Sequence, residues 1–142
     1  MGKTILVTGA AGFIGSHTAQ LLASRGDKVI GLDNLNDYYN PARKRANLEE
    51  VRQVLTKSGQ ANALDFVEGD IRDKKLVAEI FSTYSFDAIV HLAAMAGVRV
   101  SIENPHVYYD VNIMGTLNLL DAAVGRTTRE VKPDSLPTFV FA

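Results

Sequence analysis

Residues 5–17 read ILVTGAAGFIGSH, an apolar run followed by a glycine-rich turn and then by residues that favour a helix. Three glycines in this stretch are spaced three residues apart, at Gly9, Gly12 and Gly15. A second apolar run, VIGLD, ends in Asp33, 21 residues after Gly12. A strand, a glycine turn, a helix and a later acidic residue in this order are typical of a site for the pyrophosphate and adenosine ribose of a dinucleotide.

Each glycine of this turn has its own structural role in such a site. The first allows a sharp turn after the strand, the second keeps side chains away from an approaching phosphate, and the third lets the helix lie close to the sheet. The unpaired N–H groups at the start of the helix then face the anion. A tight turn that binds nothing is the alternative. The candidate contacts are Gly9, Ala11, Gly12, Phe13, Ile14 and Gly15.

The composition excludes several other classes of protein. The 142 residues carry 15 basic and 16 acidic side chains, so neither a nucleic-acid surface nor a membrane surface is expected. Cysteine is absent, and His17, His91 and His106 lack metal-ligand spacing, so no metal site is expected. No apolar run approaches the ~20 residues of a membrane span, and no signal-peptide pattern occurs. We therefore expect a soluble, cytoplasmic protein.

Apolar strands alternate with helical stretches along the chain. The predicted strands cover residues 4–8, 28–32, 64–69, 87–94 and 138–142, and the predicted helices cover 12–24, 42–57, 73–84 and 105–124. Polar loops are expected at 34–41 and 125–137. This alternation predicts one α/β domain over residues 1–142, with a Rossmann-type, doubly wound parallel sheet of strand order 3-2-1-4-5.

Five stretches carry a more specific resemblance. They are TGAAGFIGSH (8–17), LDNLNDYYNPARK (32–44), EGDIRD (68–73), HLAAMAGVRVSIENP (91–105) and YYDVNIMGTLNLLDAA (108–123). Together they resemble the extended short-chain dehydrogenase/reductase family, and most of all its UDP-glucuronate 4-epimerase branch. The resemblance implies the N-terminal NAD-binding part of a nucleotide-sugar epimerase, with NAD as the cofactor.

The resemblance also assigns the adenosine end of the site. Asp33 would accept hydrogen bonds from the ribose hydroxyls and repel a 2′-phosphate, which favours NAD. The alternative is a carboxylate that only caps a turn. Asn34, Asn36, Arg43 and Lys44 would line the same end, or else form a solvated loop and helix face.

Two further groups of residues follow the third and fourth predicted strands. The family places residues against the adenine at the positions of Asp70 and Ile71, although Asp70 also suits an ordinary turn. Small side chains after the fourth strand would let the backbone approach the cofactor, or would simply pack in the core. These positions are Leu92, Ala93 and Ala94.

Three other positions are assigned by the same resemblance. Asn112 matches a helix asparagine that helps to position a catalytic lysine. Arg99, in a glycine-containing loop, is a candidate contact for a sugar nucleotide. His91 is interpreted as a core histidine rather than as an acid–base group.

The family's chemistry requires a Tyr followed four residues later by a Lys. None of the five tyrosines in this sequence has such a lysine. We therefore expect the sheet to be truncated after strand five, and the catalytic region and the C-terminal sugar-binding domain to be absent. The chain alone would bind NAD without catalysis, no catalytic residue is assigned, and a nucleotide-sugar would bind only to the full-length parent.

Other interpretations remain open at this stage. The chain could be a complete small enzyme that uses Tyr108, Tyr109 or His106, or a non-catalytic NAD-sensing or interaction module. The parent could also be a UDP-glucose 4-epimerase or a nucleotide-sugar 4,6-dehydratase. An apolar edge strand at 138–142 would favour pairing with a second copy, so we expect a homodimer.

Overall fold

Five parallel strands form one sheet in the computed structural model, which describes residues 2–125 and 135–142. The strands are β1 (Thr4–Thr8), β2 (Lys28–Asp33), β3 (Leu64–Glu68), β4 (Ala88–His91) and β5 (Thr138–Phe141). They lie side by side in the order β3-β2-β1-β4-β5, and every neighbouring pair is parallel. The predicted strand order is confirmed.

The chain divides into two compact units. Unit 1 comprises Met1–Gly69, Phe86–Leu92 and Pro137–Ala142, and unit 2 comprises Asp70–Ser85 and Ala93–Leu136. The single domain expected for residues 1–142 stays a prediction. Most of the polar loop predicted at 125–137 lies outside the described residues, since 126–134 are not among them.

Unit 1 contains the sheet, the helices α1 (Phe13–Ser24) and α2 (Pro41–Lys57), and a short 3₁₀-helix (Ala61–Ala63). Alternate residues of the strands pack with the apolar stripes of these helices, as the two-residue period of a strand requires. This core consists of Ile5, Val7, Ala10, Ala19, Ala23, Val29, Val51 and Leu55. The intervening strand residues Leu6, Ile30 and Ile89 are also fully buried, which is typical of parallel sheets.

Strand β4 is shorter than predicted. It was expected to run to residue 94, but it ends at His91, which is paired with Thr8 in the last register of β1. The chain of β1 turns away at Gly9, so the residues after His91 have no strand on that side to pair with. In helix α2, Leu48 is buried while Ala46 is exposed.

Unit 2 is helical in its described residues. Helix α3 (Lys74–Thr83) begins as predicted at Asp73, whose carboxylate accepts the N–H groups of Lys75 and Leu76 at 3.0 and 3.1 Å. It is followed by α4 (Val98–Glu103), α5 (Pro105–Tyr108), a π-helical segment (Tyr109–Gly115) and α6 (Thr116–Ala123).

One prediction for this region was wrong, since the loop expected around Arg99 is the helix α4, which begins after Gly97 at φ 99°. The helix expected at 105–124 is present as continuous helical structure over residues 105–123, but it contains the π-helical segment Tyr109–Gly115, whose hydrogen bonds span five residues instead of four. Apolar spacing does not predict such a segment. Among the described residues, no helix combines the length and the apolar composition needed to cross a membrane.

Candidate functional site

The glycine turn begins where β1 ends, next to the carboxyl end of the neighbouring strand β2. Gly9 has a φ of 69°, in the left-handed region that glycine adopts without strain. Its N–H and that of Ala10 both donate to the carbonyl of Leu32, at 2.8 and 3.3 Å. The sharp turn predicted at Gly9 is therefore present, and it is fastened to the neighbouring strand.

The start of α1 comes directly against this turn. A Cβ built on Gly15 would lie 1.9 Å from the carbonyl oxygen of Gly9, so no side chain fits there. The N–H of Ser16 donates to the carbonyl of Gly12 at 2.9 Å. It makes the first hydrogen bond of the helical ladder of α1. The three preceding N–H groups, of Phe13, Ile14 and Gly15, have no intrahelical acceptor.

These N–H groups form a local concentration of positive charge. The helix capping residue, Gly12, has no side chain to accept any of them, and the helix dipole adds to the positive potential at the same end. The described residues thus offer a bare backbone cradle that suits a phosphate in size and charge.

Asp33 lies at the end of β2, with only 8% of its surface exposed. Its Oδ2 accepts the N–H of Ala11 at 3.1 Å, and its Oδ1 accepts the N–H of Leu35 at 2.9 Å. The carboxylate therefore does cap the turn that follows it, which was the alternative to a ribose contact. Each oxygen of a carboxylate has two acceptor sites, so both oxygens keep capacity for a further donor.

The loop after Asp33 brings a lysine into the site. Lys44, in the first turns of α2, is 8% exposed, and its Nζ donates to Oδ1 of Asn36 at 2.6 Å and lies 4.0 Å from Oδ1 of Asp33. Arg43 is exposed to solvent. Asn34 is half-buried and accepts the N–H of Asn36 at 3.1 Å. Of the two basic neighbours, it is therefore Lys44 that approaches Asp33.

A second residue in α2 supports the glycine turn and was not predicted. The side-chain amide of Asn47 donates to the carbonyl of Ala11 at 3.0 Å. Ala11 is thereby held at its N–H by Asp33 and at its carbonyl by Asn47. Nothing in the local sequence pattern indicates this contact, which depends on how α2 packs.

Thr8 and His91 form a buried pair at the carboxyl ends of β1 and β4. Thr8 Oγ1 lies 2.6 Å from His91 Nδ1 and accepts the N–H of Leu92 at 3.1 Å. The hydroxyl oxygen has a second acceptor site and one O–H donor, so either neutral tautomer of the ring can make this hydrogen bond. Burial lowers the pKa of His91 to about 4. The ring is therefore neutral near pH 7.

In unit 2, the predicted adenine residues form a compact turn. Both carboxylate oxygens of Asp70 accept the guanidinium of Arg72, at 2.9 and 2.7 Å, and this hydrogen bonding raises the pKa of Arg72. Ile71 is buried, and its carbonyl accepts the amide of Asn118 at 2.9 Å. Asp70 thus behaves as a turn residue within its own unit, and its role against an adenine stays a prediction.

Asn112 fastens the segment that follows β4. Its Oδ1 accepts the N–H of Met95 at 2.8 Å, and its Nδ2 donates to the carbonyl of Met95 at 2.9 Å. Ala93 is half-buried and Ala94 is exposed. Arg99 is exposed and paired with Glu103 at 3.3 Å. The predicted roles of these residues toward ligands stay predictions.

The residues named for the alternative of a complete small enzyme also lie in unit 2. The hydroxyl of Tyr108 donates to the carbonyl of Ala96 at 2.6 Å. Tyr109 is 53% exposed, and His106 is exposed as well.

Within unit 1, the structure brings together the glycine turn, Asp33, Asn36 and Lys44. The fold and this cradle define a Rossmann-type protein. The family model described as GDP-mannose 4,6 dehydratase matches residues 6–133, and the chain belongs to that family. It is 52% identical over 120 residues to UDP-glucuronate 4-epimerase 4 of Arabidopsis thaliana, and the match covers 84% of this chain and 26% of the relative. The resemblance predicted from the sequence is confirmed.

Solved structures agree with this assignment. The UDP-glucose 4-epimerase of Stenotrophomonas maltophila, solved with NAD and formylated UDP-arabinopyranose, is 30% identical with a TM-score of 0.76 over 98% of this chain and 36% of its own. The dTDP-glucose 4,6-dehydratase of Streptomyces venezuelae, solved with NAD, is 43% identical with a TM-score of 0.69. The match covers 85% of this chain and 35% of the dehydratase. The predicted fold class is confirmed, and the chain spans about a quarter to a third of the relatives it matches.

Proposed function

We propose that this chain binds NAD at the glycine turn and Asp33, as the cofactor-binding part of a UDP-glucuronate 4-epimerase. One arrangement carries the proposal: three N–H groups without intrahelical acceptors lie in the same unit as a buried carboxylate, joined through Ala11. The cradle suits the pyrophosphate, and the carboxylate suits the ribose hydroxyls. Family membership and two relatives solved with NAD support it.

The 142 residues alone would hold the cofactor without epimerising a sugar. Epimerisation by hydride transfer needs a group that takes a proton from the sugar hydroxyl. No tyrosine in this sequence has the lysine four residues later that activates it in the family. The nucleotide-sugar would accordingly be a ligand of the longer parent protein. We also propose a cytoplasmic location, as expected from the sequence analysis.

We also propose that two copies associate through β5. This strand pairs on one side with β4 and is the last strand of the described sheet. Val140 and Phe141 are 53% and 70% exposed there. An apolar sheet edge of this kind is a template for pairing with another strand.

Calorimetric titration with NAD tests the main proposal. We expect saturable binding to the unmodified chain. Asp33→Ala should weaken it by about 1–3 kcal/mol, the usual value of a hydrogen bond to a charged group. Glu50→Ala, which removes an exposed acidic side chain from α2, is the matched control and should bind as the unmodified chain does. Absence of NAD binding by folded protein would refute the proposal.

A further inference from the structure

Lys44 occupies an unusual place for a lysine. It lies on the buried stripe of α2 together with Leu48, Val51 and Leu55. Its surface is 8% exposed, close to the 5% of Leu48. A cation in the first turns of a helix is also disfavoured by the helix dipole. Burial of an ammonium requires compensating partners, so its placement points to a specific interaction rather than to packing.

Those partners are Asp33 and Asn36. The ammonium donates to the Asn36 amide oxygen at 2.6 Å and lies 4.0 Å from Asp33 Oδ1. The flanking basic residues do not share this position, because Arg43 is exposed and Arg45 pairs at 3.7 Å with Glu68 on the surface. Lys44 is therefore the cation that neighbours the carboxylate at the proposed ribose end.

A carboxylate at this position favours NAD because it repels a 2′-phosphate. A buried cation 4.0 Å away opposes that repulsion, and the two charges act strongly on each other where little water screens them. The strength of the discrimination then depends on both residues and not on Asp33 alone.

We propose that Lys44 determines how strictly this chain discriminates NAD from NADP. With Asp33 present, the ammonium is held by Asp33 and Asn36 and moderates the rejection of a 2′-phosphate. With the carboxylate removed, the same ammonium becomes the donor that a 2′-phosphate requires. The inference rests on the proposed NAD site.

Titration of four chains with NAD and NADP tests this inference: the unmodified chain, Asp33→Asn, Lys44→Met and the double variant. Asp33→Asn should shift the ratio of the two dissociation constants about tenfold or more toward NADP, the size of one charge-assisted contact. Adding Lys44→Met should reverse most of that shift. A shift that survives in the double variant, or no shift at all, would overturn the inference.

A second comparison keeps Asp33 and the turn that it caps intact, in case Asp33→Asn does not fold. Lys44→Met alone should make the chain discriminate against NADP about fivefold more strongly, whereas Lys57→Met, which removes an exposed lysine from the same helix, should leave the ratio unchanged. An unchanged ratio in Lys44→Met would overturn the role of Lys44 while NAD binding stands. Failure of the unmodified chain to bind either nucleotide would instead refute the proposed function as well.

Discussion

At the scale of single residues, His91 at the end of β4 makes the stability of the fold depend on pH. Its imidazole is buried and lies 2.6 Å from the Thr8 hydroxyl, so protonation would place a positive charge where little water can solvate it. Burial lowers the pKa of His91 from an ordinary value of 6.5 to about 4. Between these two values the unfolded chain binds a proton that the folded chain does not.

The free energy of unfolding should therefore decrease as the pH falls from 6.5 toward 4. One extra proton in the unfolded state contributes a slope of up to about 1.4 kcal/mol per pH unit. Above pH 6.5 this contribution is fully present. Urea denaturation at a series of pH values measures the slope, which should become shallower in His91→Asn.

His106→Asn serves as the control, since His106 is exposed. Its slope should match that of the unmodified chain, because the substitution leaves the buried His91 in place. If His91→Asn and the unmodified chain lose stability in parallel between pH 6.5 and 4.5, then His91 is not the group responsible.

Residues with a strong local pattern were predictable from sequence, and residues defined by packing were not. The spacing of Gly9 and Gly15 and the position of Asp33 after an apolar run reflect backbone geometry, which the chain encodes locally. Lys44 was placed near the site only as one of two basic residues, together with Arg43. Its burial depends on how α2 packs beside Asp33 and Asn36, which the local pattern does not encode. Asn47 gave no signal at all, for the same reason.

At the scale of elements, Asn112 connects the π-helical segment to the chain that follows β4. Its amide makes two hydrogen bonds with the backbone of Met95, at 2.8 and 2.9 Å. Met95 lies beyond β4, which ends at His91, so it has no strand neighbour in the described sheet. The Asn112 amide takes the place of such a neighbour by pairing with both the N–H and the C=O of Met95. The helical period predicted a helix here, but not the π-helical segment that contains Asn112.

Asn112→Ala should release the backbone around Met95. The substitution removes both hydrogen bonds between the Asn112 side chain and Met95, at a cost of about 1–3 kcal/mol. Hydrogen exchange should then show the Met95 amide exchanging about tenfold faster or more.

Asn104→Ala is a suitable comparison, because Asn104 is an exposed amide at the start of α5 and makes no capping hydrogen bond through its side chain. It should leave exchange at Met95 unchanged. Equal protection of the Met95 amide in Asn112→Ala and in the unmodified chain would show that the segment is fixed by other contacts.

At the scale of the whole molecule, the strand order followed from simple rules. Alternating strands and helices with right-handed crossovers leave few arrangements, and the order 3-2-1-4-5 is the one typical of a Rossmann-type sheet. What those rules do not determine is which exposed surface meets a partner. Apolar side chains are exposed on several elements of the described residues, and the edge strand β5 competes with helical surfaces such as the π-helical segment, where Ile113 is 54% exposed.

The proposal of pairing through β5 predicts that one charge on the edge abolishes the dimer. We expect concentration-dependent dimers of the unmodified chain in sedimentation velocity, and monomers for Val140→Lys, because a lysine on an edge strand must lose its hydration to pair. Ile113→Lys places the same charge on the competing surface and should leave the dimer intact. If Ile113→Lys disrupts association and Val140→Lys does not, the partner binds the helical surface instead. A chain that remains monomeric at high concentration would exclude pairing through β5 altogether.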